Sequence, residues 1–288
     1  MIPQILTDRK NFPQRVIDRL GASPIDFREK WQSIQISGHD QDNHLAAGVL
    51  LPLQFIHHNS TTDISACEFT FQLIKRSSMV AQAGDLSCPG GMIHPLSDRI
   101  LRPFLNVMPS LTKGTAGNYA QQRGHEVYRI MTLFLTTAIR ESWEEIGLNP
   151  FYVQFLGPIP TYSLTLMRRI IFPFAGFVQS SWRGRPNREV EKIIDIPLRC
   201  FFEKNNFRRC ILEEPPVASV NAAQRIELPA IAVRDRENRE EILWGATFNI
   251  VISFLQIVLD FSFPDLSDCP VVVHHLSKDY WSGRWQDG

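Results

Sequence analysis

An α/β fold is predicted by the alternation of strand-like and helical segments along the chain. The strand-like segments are short apolar or alternating runs, and they cover residues 46–53, 68–75, 152–156 and 170–178. Helical patterns cover residues 126–146 and 247–260. With 288 residues and 44% hydrophobic content, the chain can bury a substantial core.

Composition narrows the possible partners and the compartment. Lysine plus arginine and aspartate plus glutamate number 30 each, which gives no electrostatic argument for a nucleic acid or a membrane surface. The five cysteines include no Cys-x-x-Cys pair, which argues against a disulfide framework and a zinc site. The N-terminus lacks the apolar core of a signal peptide, and the apolar run at residues 250–259 is shorter than the roughly 20 residues of a bilayer span. We therefore expect a cytoplasmic protein with neither a nucleic-acid nor a membrane partner.

The stretch Arg140–Leu148 contains the most informative charge pattern. Glu141, Glu144 and Glu145 are spaced i, i+3 and i+4, so in a helix their carboxylates project from one face. Like charges at this spacing repel, and a hard divalent cation with oxygen ligands would neutralise them. The alternative is a solvated acidic helix surface, because glutamate is a common helix former. An apolar stripe on the opposite face is predicted to anchor the helix, and Gly147 to end it. The stripe consists of Leu135, Ala138, Ile139, Trp143 and Ile146.

A glycine pair, Gly90 and Gly91, follows a β-like run at residues 85–88. Such a pair permits a tight loop and a close approach of the backbone to a ligand. The glycine pair and the glutamate stretch together resemble the two ends of the Nudix box, the loop-helix-loop motif of hydrolases that cleave nucleoside diphosphates linked to another group. The matching residues of the second end are Arg140, Glu141, Glu144, Glu145, Gly147 and Leu148.

The first end of the motif departs from the family pattern. An insertion, about residues 96–125, separates the two ends, and Asp98 stands near the position of the missing acid. The insertion carries Arg99, Arg102, Lys113 and Arg123. We hypothesise that it forms a basic flap over the active site; the alternative is a solvated loop whose charge is incidental.

Within the superfamily, the chain resembles the coenzyme A pyrophosphatase branch. Residues that match in type are Arg76, Ser77, Gly84, Pro89, Gly90 and Gly91, with Asn187, Glu189 and Val190 later in the chain. Residues 80–83 depart from the branch, because Val-Ala-Gln-Ala replaces its basic stretch. Residues 205–221 are predicted to be a connecting loop, and residues 228–233 and 241–244 a hairpin.

The resemblance implies a Nudix-type α/β/α sandwich with a mixed β-sheet. It covers residues 45–260, which leaves residues 1–44 as an N-terminal helical extension and 261–288 as a tail that packs on the domain or on a second subunit. A homodimer would be in keeping with the family.

The resemblance also implies roles for individual residues. Mg²⁺ or Mn²⁺ would be held by Glu141, Glu144, Glu145 and the backbone carbonyl of Gly91, with Arg140 orienting a glutamate. Arg76, Ser77, Gly90 and Gly91 would bind the substrate. The general base would be Glu141 or Glu189, unless Glu189 is ion-paired with the neighbouring Arg185 or Arg188.

Three functions remain open at this point. The first is hydrolysis of coenzyme A or acyl-coenzyme A to 3',5'-ADP and a 4'-phosphopantetheine. The second is the same chemistry on another nucleoside diphosphate derivative, such as ADP-ribose, NADH or a dinucleoside polyphosphate; the loss of the basic stretch favours it. The third is a Nudix-fold binding module without turnover. The displaced first half of the motif favours this function, and the intact glutamates argue against it.

Overall fold

The computed structural model describes residues 2–37, 45–57, 67–94, 98, 100–101, 103, 113–179, 182–213, 225–276 and 280. The α-helices are α1 (Phe12–Ala22), α2 (Phe27–Ser37), α3 (Gly114–Gln122), α4 (His125–Ile146) and α5 (Gly245–Leu259). The strands of the first sheet are β1 (Leu45–His57), β2 (Cys67–Arg76), β3 (Leu86–Ser87), β4 (Gly90–Met92), β5 (Val153–Pro158), β6 (Tyr162–Leu164), β7 (Arg169–Val178) and β8 (Val190–Pro197). Those of the second sheet are β9 (Phe207–Glu213), β10 (Arg225–Arg234), β11 (Glu240–Trp244) and β12 (Val271–His275).

The first sheet is mixed, which confirms the predicted α/β fold class. Its main strand order is β3-β2-β1-β7-β5, with β4 beside β1, β6 beside β7 and β8 beside β2. Strands β1 and β7 run parallel, whereas the other pairs are antiparallel. Strand β7 lies between β1 and β5, and the β5–β7 register shifts between Phe155 and Gly157. Pro173 is accommodated because it lies opposite the gap between β5 and β6.

Helix α4 packs directly on strand β1 because Gly48 has no side chain. A Cβ at Gly48 would lie 2.3 Å from the backbone oxygen of Phe134. The ring of Phe134 stacks on Phe172 of β7 with centroids 3.8 Å apart, and Phe27 of α2 meets Phe172 edge-on at 5.0 Å. Aromatic packing of this kind is favourable beyond the buried area alone. Helix α4 is thereby fixed against the strands that carry the glycine pair and the cavity described below.

One hydrophobic core joins all three predicted segments of the chain. It contains Phe12 and Phe27 from the N-terminal helices and Cys269 from the predicted tail, together with residues of the first sheet. Strand β12, which also belongs to the predicted tail, pairs in parallel with β9. Both ends of the described chain therefore contribute to the same folded unit.

Helix α3, in the described part of the insertion, packs against α1 and does not line the cavity described below. Helix α3 contacts α1, and the guanidinium group of Arg123 donates hydrogen bonds to the carbonyl oxygens of Leu20, Gly21 and Ser23 at 2.8–2.9 Å. These are carbonyls that the end of α1 leaves without helical partners. Arg123 therefore caps a helix instead of facing a substrate, contrary to the flap hypothesis for this residue, whereas Arg99 and Arg102 lie outside the described residues.

The second sheet was only partly anticipated. Its order is β11-β10-β9-β12, and β10 and β11 form the predicted hairpin. The prediction of a loop over residues 205–221 is wrong for Phe207–Glu213, which form β9. Helix α5 contacts β3 and β6 of the first sheet and β10 and β11 of the second. Helix α5 therefore joins the two sheets, and a cavity lies between them.

Among the described residues, no helix combines the length and apolar character required to cross a bilayer. The thiols of Cys88, Cys200, Cys210 and Cys269 are all free.

Candidate active site

A cavity of about 640 Å³ lies between the two sheets. Its floor is formed by strands β1, β4, β6 and β7, and its far wall by β9, β10, β11, the first turn of α5 and Tyr280. Predicted site residues that line it are Arg76, Gly90, Gly91, Glu141, Glu145 and Glu189. Residues separated by more than a hundred positions in the sequence thus meet around one cavity.

Gly90 holds the carboxylate of Glu145 in place. The backbone amide of Gly90 donates a 2.9 Å hydrogen bond to Oε2 of Glu145. Gly90 has φ of 150°, and a Cβ there would lie 2.5 Å from the carbonyl oxygen of Gly48. Only glycine fits this position. The placement of its backbone thus both requires glycine in the sequence and orients Glu145.

Gly91 allows the carboxylate of Glu141 to lie against its backbone. A Cβ on Gly91 would be 2.5 Å from the carboxyl carbon of Glu141 and 2.6 and 2.8 Å from its two oxygens. Glu141 and Glu145 are one helical turn apart on α4, so both carboxylates meet strand β4 from the same side of the helix.

Glu144 does not join the other two carboxylates. Its side chain is 56% exposed and pairs with Arg140, with 3.0 Å between Arg140 Nη1 and Glu144 Oε2. Successive residues of a helix are rotated by about 100°, so Glu144 projects to the opposite side of Glu141 from Glu145. The structure therefore places two of the three predicted ligands in the cavity.

The predicted anchoring stripe needs one correction. Trp143 is 60% exposed, so it does not anchor α4, whereas Ile139 and Ile146 are buried as predicted. The buried side of the helix instead includes Ser142, whose hydroxyl donates to the Ala138 carbonyl oxygen at 2.6 Å.

Burial raises the pKa of both carboxyl groups in the cavity. For Glu141, loss of hydration is the main cause and the positive charge of Arg140 opposes it. For Glu145, loss of hydration raises the pKa to about 8; the amide of Gly90 opposes this rise, and the charges of Glu141 and Glu189 add to it. A cation beside these groups would favour their ionised forms.

Arg140 is held by an acid from the insertion. Asp98 is fully buried, and its carboxylate accepts hydrogen bonds from Arg140 Nε at 2.7 Å, Thr137 Oγ1 at 2.8 Å and the amide of His94 at 2.7 Å. Arg140 also pairs with Glu141, with 2.9 Å between Nη1 and Oε1. Burial acts to lower the pKa of Arg140, but Asp98 and the neighbouring glutamates raise it above its ordinary value. Asp98 thus occupies the place of an acid that orients Arg140, and Arg140 in turn orients Glu141.

Two further predicted residues, Arg76 and Glu189, line the cavity, whereas Ser77 lies beside it. Arg76 Nε donates a 2.8 Å hydrogen bond to the carbonyl oxygen of Ala81. In the described structure, Glu189 forms no ion pair with Arg185 or Arg188, although these were the alternative partners for its carboxylate. The hydroxyl of Ser77 donates to the Arg188 carbonyl oxygen at 2.7 Å, so it supports the loop that carries Glu189.

Sequence reasoning missed four other cavity residues: Asp85, Arg169, Trp244 and Tyr280. The hydroxyl of Tyr280 donates to the Asp85 carboxylate, and the rings of Tyr280 and Trp244 stack with centroids 5.9 Å apart. Burial raises the pKa of Asp85 to about 6. The only available signal for Arg169 was a charge at the start of an otherwise apolar strand.

The cavity suits a divalent cation in charge and in donor type. Asp85, Glu141, Glu145 and Glu189 line it with two guanidinium groups, so full ionisation gives an excess of two negative charges. Among the described residues, no three acidic, histidine or cysteine side chains are already clustered as a metal site. Glu141, Glu145 and the backbone of Gly91 nevertheless adjoin one another, and carboxylate and carbonyl oxygens are the donors that Mg²⁺ and Mn²⁺ prefer. These residues fit such an ion.

No protein-family model matches the sequence. Several solved structures align with part of the chain. An Ap4A hydrolase from C. elegans aligns at 11% identity and a TM-score of 0.33, over 54% of this chain and 81% of that one. A NUDIX hydrolase from Alicyclobacillus acidocaldarius aligns at 13% identity and 0.35, over 56% and 82%. The NUDIX domain of Shewanella oneidensis NrtR, complexed with ADP ribose, aligns at 14% identity and 0.30, over 58% and 83%. At these values the function of this chain has to be argued from its own site.

Proposed function

We propose that the chain is a metal-dependent Nudix pyrophosphohydrolase that cleaves the diphosphate linkage of a nucleoside diphosphate derivative. The observation that carries this proposal is the placement of Glu141 and Glu145 against Gly90 and Gly91 in the cavity between the two sheets. Such a pair of largely buried carboxylates is unfavourable without a cation, and it adjoins Arg76, which suits an anionic substrate.

Coenzyme A or acyl-coenzyme A is the first candidate substrate, because the matches at residues 76–91 and 187–190 belong to that branch. Its products would be 3',5'-ADP and a 4'-phosphopantetheine. The replacement of the basic stretch at residues 80–83 favours the second candidate class, which comprises ADP-ribose, NADH and dinucleoside polyphosphates.

Glu141, Glu145 and the Gly91 carbonyl would hold Mg²⁺ or Mn²⁺. When bound, such an ion neutralises negative charge on a diphosphate and lowers the pKa of its bound water. The remaining steps belong to the chain itself: Arg140 fixes the orientation of Glu141, and Arg76 binds a phosphate oxygen.

A carboxylate must accept the proton of the attacking water. Glu189 lines the cavity from the loop before β8 and carries no ion-pair partner in the described structure, so it is suited to this role. Glu141 is the other candidate. Attack at one phosphorus breaks its bond to the bridging oxygen, and the second phosphate leaves with that oxygen.

The test is hydrolysis of coenzyme A, ADP-ribose, NADH and diadenosine polyphosphates with Mg²⁺ or Mn²⁺. We expect turnover of at least one compound, and a loss of about a hundredfold or more in kcat for Glu141→Gln and Glu145→Gln. Glu29→Gln is a matched control, because Glu29 is exposed on helix α2. The substitution makes the same chemical change outside the cavity.

Metal binding by calorimetry completes the experiment. Turnover that survives both substitutions would contradict the proposal. No turnover and no metal binding by the unaltered chain would establish a Nudix-fold binding module in its place.

A further inference from the structure

Arg169 places a positive charge in the cavity apart from the carboxylates. It begins β7, opposite Leu164 of β6 and Leu45 of β1. Side chains of a strand alternate between faces, and Ile171, two residues on, lines the same cavity. Arg169 therefore faces the cavity from its floor.

The guanidinium group of Arg169 is not neutralised by any part of the chain that the structure describes. Its Nε atom is buried without a hydrogen-bond partner, and no described carboxylate forms an ion pair with it. Burial, with a smaller contribution from the like charge of Arg76, lowers its pKa. An unpaired charge in a half-buried position is unfavourable. Arg140 shows the contrast, because Asp98 and two glutamates surround it.

The sheet register separates Arg169 from the carboxylates. Gly91 lies opposite Gly48 on β1, whereas Arg169 lies opposite Leu45 on the far side of β1. With a rise of about 3.3 Å per residue and about 4.8 Å between strands, the Cα atoms of Gly91 and Arg169 are about 14 Å apart. A diphosphate bound at Glu141 and Glu145 would leave Arg169 beside the organic group attached to it.

We propose that Arg169 forms a second phosphate site in this cavity, and that the substrate is a nucleoside diphosphate derivative with a further phosphate group. The inference rests on the proposed function for the position of the diphosphate. A planar guanidinium group matches the geometry of a phosphate with two parallel hydrogen bonds. The first turn of α5 lines the same cavity and adds the positive end of its dipole.

The test compares ligand pairs that differ in their phosphate groups. Coenzyme A is paired with dephospho-coenzyme A, NADPH with NADH, and diadenosine tetraphosphate with diadenosine diphosphate. Dissociation constants are measured by calorimetry in EDTA, and kcat/KM is measured in Mg²⁺. In at least one pair, the member with more phosphate groups should bind about ten- to a hundredfold more tightly than the other. This is the range expected for hydrogen bonds to a charged group.

Substitution at Arg169 should remove this preference. The dissociation constant of the more weakly bound member of each pair should stay unchanged. Arg169→Gln should bring the ratio close to one, and Arg169→Lys should keep part of it because the charge remains. Arg168→Gln is the matched control, since it removes the same charge from the exposed neighbouring residue. Melting temperatures establish that the variants are folded.

Two results would overturn the proposal: no pair showing a preference, or a preference that survives Arg169→Gln. The binding arm does not depend on turnover. Failure of the proposed hydrolysis would leave the binding ratio intact, whereas failure of the second phosphate site would remove the ratio and leave hydrolysis in place.

Discussion

The contact between Gly91 and Glu141 leads to a sharp prediction for Gly91→Ala. The new Cβ would lie 2.5 Å from the carboxyl carbon of Glu141, where ordinary contacts begin at 3.4 Å. The carboxylate therefore has to move by about 1 Å. Since it is the free end of a flexible side chain, it can move, and its 2.9 Å pairing with Arg140 would be disturbed.

The magnitude follows from this displacement. Misplacement of a reacting group by about 1 Å lowers turnover by about a hundredfold. The backbone of Gly91 requires no left-handed conformation, so alanine is tolerated there and gains up to about 1 kcal/mol in a strand relative to glycine. Gly91→Ala should therefore lower kcat about a hundredfold without lowering the melting temperature.

Gly90→Ala provides the contrasting variant. Its Cβ would meet backbone atoms, the oxygen of Gly48 at 2.5 Å and the Cα of Val49 at 2.6 Å, and φ is 150°. Neither strand can give way easily, so this change should destabilise the fold by about 3 kcal/mol or more.

The assay measures kcat on the best substrate, together with thermal unfolding of both variants. A double variant with Glu141→Asp, which withdraws the carboxylate by one methylene, should lose less than the product of the two single effects because the residues are in contact. Wild-type kcat for Gly91→Ala, or a melting temperature as low as that of Gly90→Ala, would refute the reasoning.

Two further predictions concern buried acids. Asp98→Asn breaks the buried pair with Arg140 and should lower the free energy of unfolding by about 3 kcal/mol, or the melting temperature by roughly 6–12 °C. The control Asp260→Asn changes an exposed residue and should cost less than about 1 kcal/mol. Equal effects of the two substitutions in calorimetry would contradict this prediction. Folding raises the pKa of Asp85 to about 6, so the folded state binds the proton of this carboxyl group more tightly than the unfolded chain does. The free energy of unfolding should therefore fall by up to about 3 kcal/mol as pH rises from about 4 to 6. Asp85→Asn should lack this contribution and show a smaller decline in urea unfolding, because Glu141 and Glu145 also have raised pKa values; parallel pH profiles for the two proteins would rule the effect out.

The sequence predicted the part of the site that depends on local geometry. Helical spacing alone brings Glu141 and Glu145 to one side of α4, and the glycine pair is required by a backbone contact that a side chain would prevent. The same spacing also predicted that the carboxylate of Glu144 would join these two, and it does not. It is i+3 from Glu141, which rotates it away from Glu145, and Arg140 then draws its carboxylate outward.

The wall opposite the carboxylates was not predictable in the same way. In β9 two consecutive arginines follow Phe207 and interrupt the apolar alternation, and the strand is stabilised by β10 on one side and β12 on the other. Tyr280 meets Asp85 across 195 positions of sequence. No local pattern records a contact of that range, and for the same reason the spatial isolation of Arg169 became visible only in the fold.

The walls of the cavity come from opposite ends of the described sequence, which imposes an order on its assembly during synthesis. A nascent chain that has reached residue 206 already contains the glycine pair and both carboxylates of α4, but none of β9 to β12. The apolar floor at Ala47, Val49 and Ile171 then has no cover from the second sheet. Exposed apolar surface of this kind promotes association between unfinished chains. All charged side chains that line the cavity are thus synthesised before the second sheet that covers them, and a chain that ends between the two exposes this apolar floor.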